Sequence, residues 1–382
     1  MGLLKSAQVK AGWVLGRLLP VRRSRIVFSN FYGRGFGDNL RPIAEVLRQR
    51  DPGLELIWLT DGETARKSLP EGVRACPYYS FRRGIALGTA KIWVDNCRKG
   101  APFKKPGQKY LQTWHGFALK RIEKDAESKL PEGYATYAMR DAQQTDLMVS
   151  DSSFMTEKYR SAFWYDGPIE EYGAPRNDML IRGGPEVREK VQRVLGLPAG
   201  QKTVLYAPTF RADRAADPYS VDFRRLKAAC ETRFGGEYSV LVRLHPIAAD
   251  LAEAVVGTGE AMNVTDYPDT QELLAAADVL VTDYSSVMFD FMLTGRPCFQ
   301  YASDIAAYRN DRDFYFALDQ LPFPLAEDND HLEQEVLGFS QEEYQERLQL
   351  FIREMGIVTD GRGAERCADW ILEHIERAAR PE

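Results

Sequence analysis

Residues fit for acid–base and phosphate chemistry stand in this chain where apolar runs give way to turns. His115 follows the run 110–114 and precedes Gly116. An imidazole at such a place has an unperturbed pKa near 6.5 and can take a proton from an alcohol; the alternative is a histidine hydrogen-bonded in a loop. Lys120, Arg121 and Lys124 follow it, either to receive an anion or as a solvated helix face. Arg243-Leu244-His245-Pro246 ends another run, and strand alternation would put Arg243 and His245 on one face as a diphosphate clamp. Protonated His245 could also stabilise charge developing on a leaving phosphate. In Asp278 to Asp290, the apolar Val279, Leu280 and Val281 run into Thr282-Asp283-Tyr284-Ser285-Ser286 and then an apolar helical face. Twin serines at a helix start gather backbone N–H groups, hydroxyl donors and the positive dipole end, an arrangement suited to an anion. Asp290, four residues beyond Ser286, can accept from a ligand hydroxyl. Pro208-Thr209-Phe210-Arg211 and Gly173-Ala174-Pro175-Arg176 are further strand-end turns, each carrying a cation. Each of these stretches taken singly also reads as a capped helix or plain turn chemistry.

The elements that must hold these residues alternate strand and helix. Strands are expected at 26–28, 54–59, 91–94, 110–114, 146–149 and 169–172, and again at 203–207, 239–244, 263–265, 279–281 and 298–301, with helical segments between. Asp38 is expected to cap a helix running to Arg50. This alternation predicts an α/β chain of two Rossmann-like domains, with the strand C-terminal ends lining a deep interdomain cleft. The expected division is a basic N-terminal helix at 1–24, a first domain at 25–184 and a second at 185–382, with the final helix long enough to pack across both.

Composition sets the bounds. At 382 residues, two cores are expected rather than one. A net charge of −5 argues against nucleic acid as a partner. The five scattered cysteines contain no CxxC and predict reduced thiols. No apolar run approaches the roughly 18 residues of a membrane span. The first 25 residues, however, hold six Lys and Arg and no acid, with Leu3, Ala7, Ala11, Val14 and Leu18 at helical spacing. Such a helix lies in an anionic membrane interface or packs on its own domain. Walker A, HExxH, GxSxG and GxGxxG patterns are missing, and Asp311-Arg312-Asp313 sits in a charged loop. No metal ligand set and no cofactor are expected; protein cations would neutralise the phosphates.

Taken in order, Trp114-His115-Gly116, the turn from Gly173 to Asp178, Ala207-Pro208-Thr209, Arg243-Leu244-His245-Pro246, Thr282 to Asp290 and Asp360-Gly361-Arg362-Gly363-Ala364-Glu365-Arg366 resemble the CDP-glycerol glycerophosphotransferase family of teichoic-acid primases and polymerases. Val94-Asp95-Asn96-Cys97-Arg98 and the stretch from Tyr308 to Phe316 are similar to it as well. The resemblance implies a GT-B arrangement, CDP-glycerol as donor and CMP as product. It implies a lipid-linked glycan or polyol-phosphate acceptor at the cytoplasmic face of the membrane; peripheral binding to anionic lipid is expected separately, through the basic residues 1–25. By resemblance His115 would be the base and Arg243 and His245 would lie at the donor phosphates. Ser285, Ser286, Asp290, Arg176, Pro208 and Thr209 would complete the donor site, with Trp114, Gly116 and Leu244 beside the motif residues. Where the family commonly has Thr-Pro after Trp-His-Gly, this chain has Phe117-Ala118, which keeps CDP-ribitol open as donor. A GT-B glycosyltransferase or epimerase, and a silent membrane-surface scaffold, are the other readings.

Overall fold

Ile26, Val27 and Phe28 are wholly buried, as a strand covered on both faces requires. In the computed structural model, which describes residues 3–99, 103–209, 219–257, 259–305 and 313–377, they lie in β1 (Arg22–Ser29). The chain divides into two units, the first comprising Met1–Gly116, Ile122–Asp178 and Ile357–Glu382, the second Phe117–Arg121 and Met179–Gly356.

In the first unit β1 is joined by β2 (Glu55–Thr60), β3 (Val73–Pro77), β4 (Ala90–Asp95), β5 (Lys109–Gln112), β6 (Leu147–Val149) and β7 (Ile169–Glu170). Among the described residues they make a parallel sheet of order β3-β2-β1-β4-β5-β6-β7. Period-two alternation sends Ile26 and Phe28 to one face, with Leu56, Trp58, Ile92 and Val94. Val27 goes to the other, with Ile57, Trp93 and Tyr110. The helix Leu40–Arg50 covers the first face through Leu40, Ile43, Ala44 and Leu47. The final helix, Gly363–Arg377, adds Cys367, Ala368 and Ile371 to that same core. Asp178 holds the start of that helix, accepting from the N–H groups of Gly363 (2.9 Å) and Ala364 (2.8 Å).

The second unit repeats the plan with β8 (Lys202–Tyr206), β9 (Tyr238–Val242), β10 (Met262–Asn263), β11 (Val279–Thr282), β12 (Cys298–Tyr301) and β13 (Leu325–Ala326). Their order among the described residues is β10-β9-β8-β11-β12-β13, again parallel. Each sheet therefore reverses its direction of growth once, between β1 and β4 and between β8 and β11. Ligands of open α/β sheets bind outside the strand C-terminal ends at such a reversal.

Three expectations change. The final helix belongs to the first unit, because its apolar face completes the core beneath β1 and β2. The second unit takes up residues 117–121, whose Phe117 ring is buried against Phe289 (centroids 4.5 Å apart), Phe316 and Phe351. β3 and β13 were not anticipated: β3 is mostly exposed, and β13 has only two residues.

The N-terminal helix, Leu3–Leu18, packs on the helix Phe81–Thr89 of its own unit. The contact is glycine to glycine. A Cβ on Gly12 would stand 1.9 Å from the Phe81 carbonyl oxygen, one on Gly84 2.2 Å from the Trp13 nitrogen, and one on Gly88 2.5 Å from the Gly16 carbonyl carbon. Two small-xxx-small pairs thus let the backbones touch. The expected apolar stripe turns outward instead: Ala7, Ala11, Val14 and Leu18 are exposed, Leu18 by 79%.

Candidate active site

β5 stops at Gln112, so His115 stands three residues beyond the strand, in a loop bent by Trp114 at φ +51°. The bend is fixed by the Trp114 N–H, which donates to Gln112 Oε1 (2.9 Å). The indole stacks on the imidazole, centroids 4.2 Å apart, and meets Phe163 edge-on. On the other side Asn96, just past β4, presents its carbonyl oxygen 2.6 Å from His115 Nδ1. A carbonyl only accepts, so Nδ1 carries the proton and Nε2 keeps its lone pair, the tautomer a base needs. Burial lowers the His115 pKa below the usual histidine value and the Arg176 charge adds to this, while the Asn96 hydrogen bond and Asp38 oppose it.

Arg176 comes from the turn Pro175–Asn177 and is buried. Its Nη1 donates to the His115 carbonyl (2.7 Å) and to Asp38 Oδ2 (2.8 Å). Gly116 leaves room for it. At φ +123°, a Cβ there would lie 2.2 Å from Arg176 Nη2, which is why glycine follows the histidine. Asp38 is not the helix cap the sequence suggested; Asn39 holds that position, without a side-chain cap hydrogen bond. Asp38 Oδ1 instead accepts from the Asn39 N–H (2.7 Å) and from Asn96 Nδ2 (3.0 Å). Asn39 links the Trp114 carbonyl (3.1 Å) to the Arg176 N–H (3.1 Å). Asp38, Asn39 and Asn96 therefore belong to the candidate site, although the sequence offered Asp38 only as a helix cap and Asn96 only within a stretch similar to the family. Asn96 directly follows β4, and Asp38 and Asn39 lie in the connection from β1 to the next helix, at the sheet reversal.

Beneath Trp114 lies a buried charged cluster. Arg98 donates to Glu123 (2.9 Å), to Asp141 (3.2 Å) and to the Phe163 carbonyl (3.1 Å). Lys99 pairs with Asp95 (2.6 Å). Burial, only partly offset by Arg98, raises the Asp141 carboxyl to about 6. Such an interior set fixes geometry at a desolvation cost.

In the second unit the reversal brings β8 and β11 together. The Thr209 N–H donates to both oxygens of Asp283 (2.8 and 3.0 Å), and Thr282 Oγ1 donates to the Ala207 carbonyl (2.7 Å). Pro208 and Thr209 therefore do lie next to the Asp283-Tyr284-Ser285-Ser286 turn. Ser285 Oγ accepts weakly from the Val287 N–H (3.4 Å) and Ser286 opens the helix Val287–Phe291. Asp290 is buried and accepts from Gln271 Nε2 (3.3 Å). Arg243 and His245 lie past β9, which ends at Val242, so strand alternation no longer relates them. Arg243 Nη1 donates to the Tyr267 (2.7 Å) and Val264 (3.2 Å) carbonyls, whereas His245 is exposed. Leu244 is core, and Phe117 and Ala118 are buried. Phe210, Arg211 and residues 308–312 lie outside the described residues. Among the described residues no group of three or more His, Cys, Asp or Glu side chains is placed to hold a metal ion.

The teichoic acid poly(glycerol phosphate) polymerase of Bacillus subtilis (strain 168) is 29% identical over 95% of this chain and 50% of its own. That of Staphylococcus epidermidis (strain ATCC 35984) is 31% identical over 93% and 51%. The chain thus spans about half the length of these relatives. Relatives named for glycerol phosphate match at 29–32%, those named for ribitol phosphate at 25–27%. The solved wall teichoic acid polymerase TagF superposes with a TM-score of 0.86 at 29% identity, over 99% of this chain and 96% of that one. A variant of it was also solved after soaking with CDPG. Residues 14–373 match the family model described as CDP-glycerol:poly(glycerophosphate) glycerophosphotransferase, and the chain belongs to that family.

Proposed function

We propose that this chain transfers glycerol phosphate from CDP-glycerol to a hydroxyl of a lipid-linked glycan or poly(glycerol phosphate) acceptor, releasing CMP, in the synthesis of teichoic acid or a related envelope polymer. The observation that carries the reading is the His115 tautomer: Nδ1–H is held by the Asn96 carbonyl, and Nε2 is left basic. In the proposed reaction Nε2 takes the acceptor hydroxyl proton and the oxygen attacks the β-phosphorus. The bond from that phosphorus to the bridging oxygen breaks, and CMP leaves with the electron pair. Arg176 and Asn96 position the base. Ser285, Ser286, Thr209 and His245 are the proposed donors to the phosphates, with Arg243 stiffening the loop that carries His245, and Asp290 accepts from a glycerol hydroxyl. Trp114, Gly116, Phe117, Ala118, Pro208 and Leu244 shape the loops that present these groups.

CDP-glycerol is favoured over CDP-ribitol because the glycerol-phosphate relatives are the more similar. Among the described residues no helix is long and apolar enough to cross a membrane. The outward stripe of the N-terminal helix supports peripheral attachment to anionic lipid at the cytoplasmic face. The test is chromatography of nucleotide products after incubation with CDP-glycerol, CDP-ribitol or UDP-sugars, with and without a lipid-linked acceptor. Acceptor-dependent CMP release from CDP-glycerol is expected. Release of UMP or UDP instead would make the protein a sugar transferase or epimerase. No turnover with any donor would return it to the scaffold reading.

A further inference from the structure

The two residues that follow β1 and Asn30 are held in a conformation that bulky side chains avoid. Phe31 has φ +39° and Tyr32 φ +61°, in the left-handed region that strains a bulky side chain. The turn is locked from within. Phe31 N–H donates to Asn96 Oδ1 (2.9 Å), and the N–H groups of Gly33 and Arg34 donate to the Asn30 carbonyl (2.7 and 2.9 Å). Asn96 therefore fixes the His115 ring through its carbonyl and this turn through its side chain.

The strained turn places an aromatic step beside the base. The Phe31 ring lies against the imidazole, centroids 5.4 Å apart. Tyr32 is 41% exposed, its ring meets Tyr78 edge-on at 6.5 Å, and the Tyr137 phenol is near enough to act on its own phenol. Tyr137 in turn donates to the Arg98 carbonyl (2.7 Å). Burial pushes the Tyr32 phenol up to about 12, so it stays protonated and neutral near pH 7. Two residues on, Arg34 is exposed, and its charge is felt at Cys97, whose sulfur lies 4.0 Å from His115 Nδ1.

An exposed ring on a locked turn, held edge-on by a second ring, offers a flat face to the carbon skeleton of a polyhydroxylated molecule, with phenols at its edge to meet hydroxyls. A guanidinium beside it suits a phosphate. We propose that Phe31, Tyr32, Tyr137 and Arg34 form the acceptor subsite, where Tyr32 and Tyr137 seat the hydroxylated end of the acceptor against His115 and Arg34 takes the adjoining phosphate. This rests on the reading of His115 as the base and adds which surface delivers its substrate.

The experiment is calorimetric binding to the full chain of a short glycerol-phosphate oligomer, an uncharged disaccharide glycoside and, separately, CDP-glycerol. Tyr32→Ala is expected to weaken oligomer and disaccharide about tenfold, and Arg34→Ala the oligomer alone by a similar factor, with CDP-glycerol affinity unchanged in both. Wild-type affinity for the oligomer in both variants, an equal loss of CDP-glycerol affinity, or no binding of either acceptor probe to the wild type would overturn the subsite. Binding of the disaccharide only would remove Arg34 from it. Failure of CDP-glycerol alone to bind would instead overturn the donor assignment, with the acceptor result still readable.

Discussion

His115 is defined by what its two nitrogens face. With Nδ1 bound to the Asn96 carbonyl, only the neutral ring can act as base, so activity should rise with pH through the His115 pKa and stay level above it. Burial and Arg176 set that pKa below the ordinary value. The acidic limb of kcat/KM should therefore fall below about pH 6.5, the midpoint of an unperturbed histidine. A pH profile from 5 to 8 checks this, and His115→Ala should lower kcat by about 10²–10⁴-fold and abolish the limb. A midpoint above that of an ordinary histidine would show that some other group is the base. His115, Gly116 and Arg176 were legible in the sequence because a histidine, a glycine and a turn arginine at strand ends are unusual enough to notice. The part played by Asp38 and Asn96 was not, because Asp and Asn in loops are also the commonest cap and turn formers. Phe117, which stands where the resembled family has Thr-Pro, is an apolar ring that packs on Phe289 and Phe351, a burial its position after His115 and Gly116 did not announce.

At the scale of elements, parallel strands announce themselves as apolar runs, and β1, β4, β8, β11 and β12 were all read from such runs. β3, in contrast, has a mostly exposed pattern and β13 only two residues, too little for periodicity to register. The N-terminal helix was recognised from its stripe, which left open whether that stripe faces outward or packs on its own domain. Its packing face is Gly12 and Gly16, which hydrophobicity does not reveal, while Val14 and Leu18 point to solvent. Replacing both by glutamate should leave the melting temperature nearly unchanged and sharply reduce co-sedimentation with vesicles containing anionic lipid. Binding of the wild type should also weaken as salt rises. Equal sedimentation of variant and wild type would mean that another surface holds the membrane.

For the whole molecule, the linear division at residues 184 and 185 differs from the one the fold adopts. The first unit needs Ile357–Glu382, and the second needs Phe117–Arg121. No local pattern encodes such exchanges, since they depend on which distant face completes which core. A fragment ending at residue 184 lacks Cys367, Ala368 and Ile371, leaving the face formed by Leu40, Ile43 and Leu47 incompletely covered. It should melt broadly and at lower temperature than the intact chain, and co-expression of the segment 357–382 should restore a cooperative transition by circular dichroism. Sharp melting of the fragment alone would show the final helix to be dispensable.

The glycine contact between the N-terminal helix and Phe81–Thr89 has a consequence for solvent. An interface of side chains draws its strength from water and loosens when oil replaces it. Backbone against backbone is held by dispersion and Cα–H···O contacts, which do not need water as the alternative. Immersion of the outer stripe in lipid would therefore leave this joint as strong as it is in the free protein, so the helix can change its medium without changing its seat.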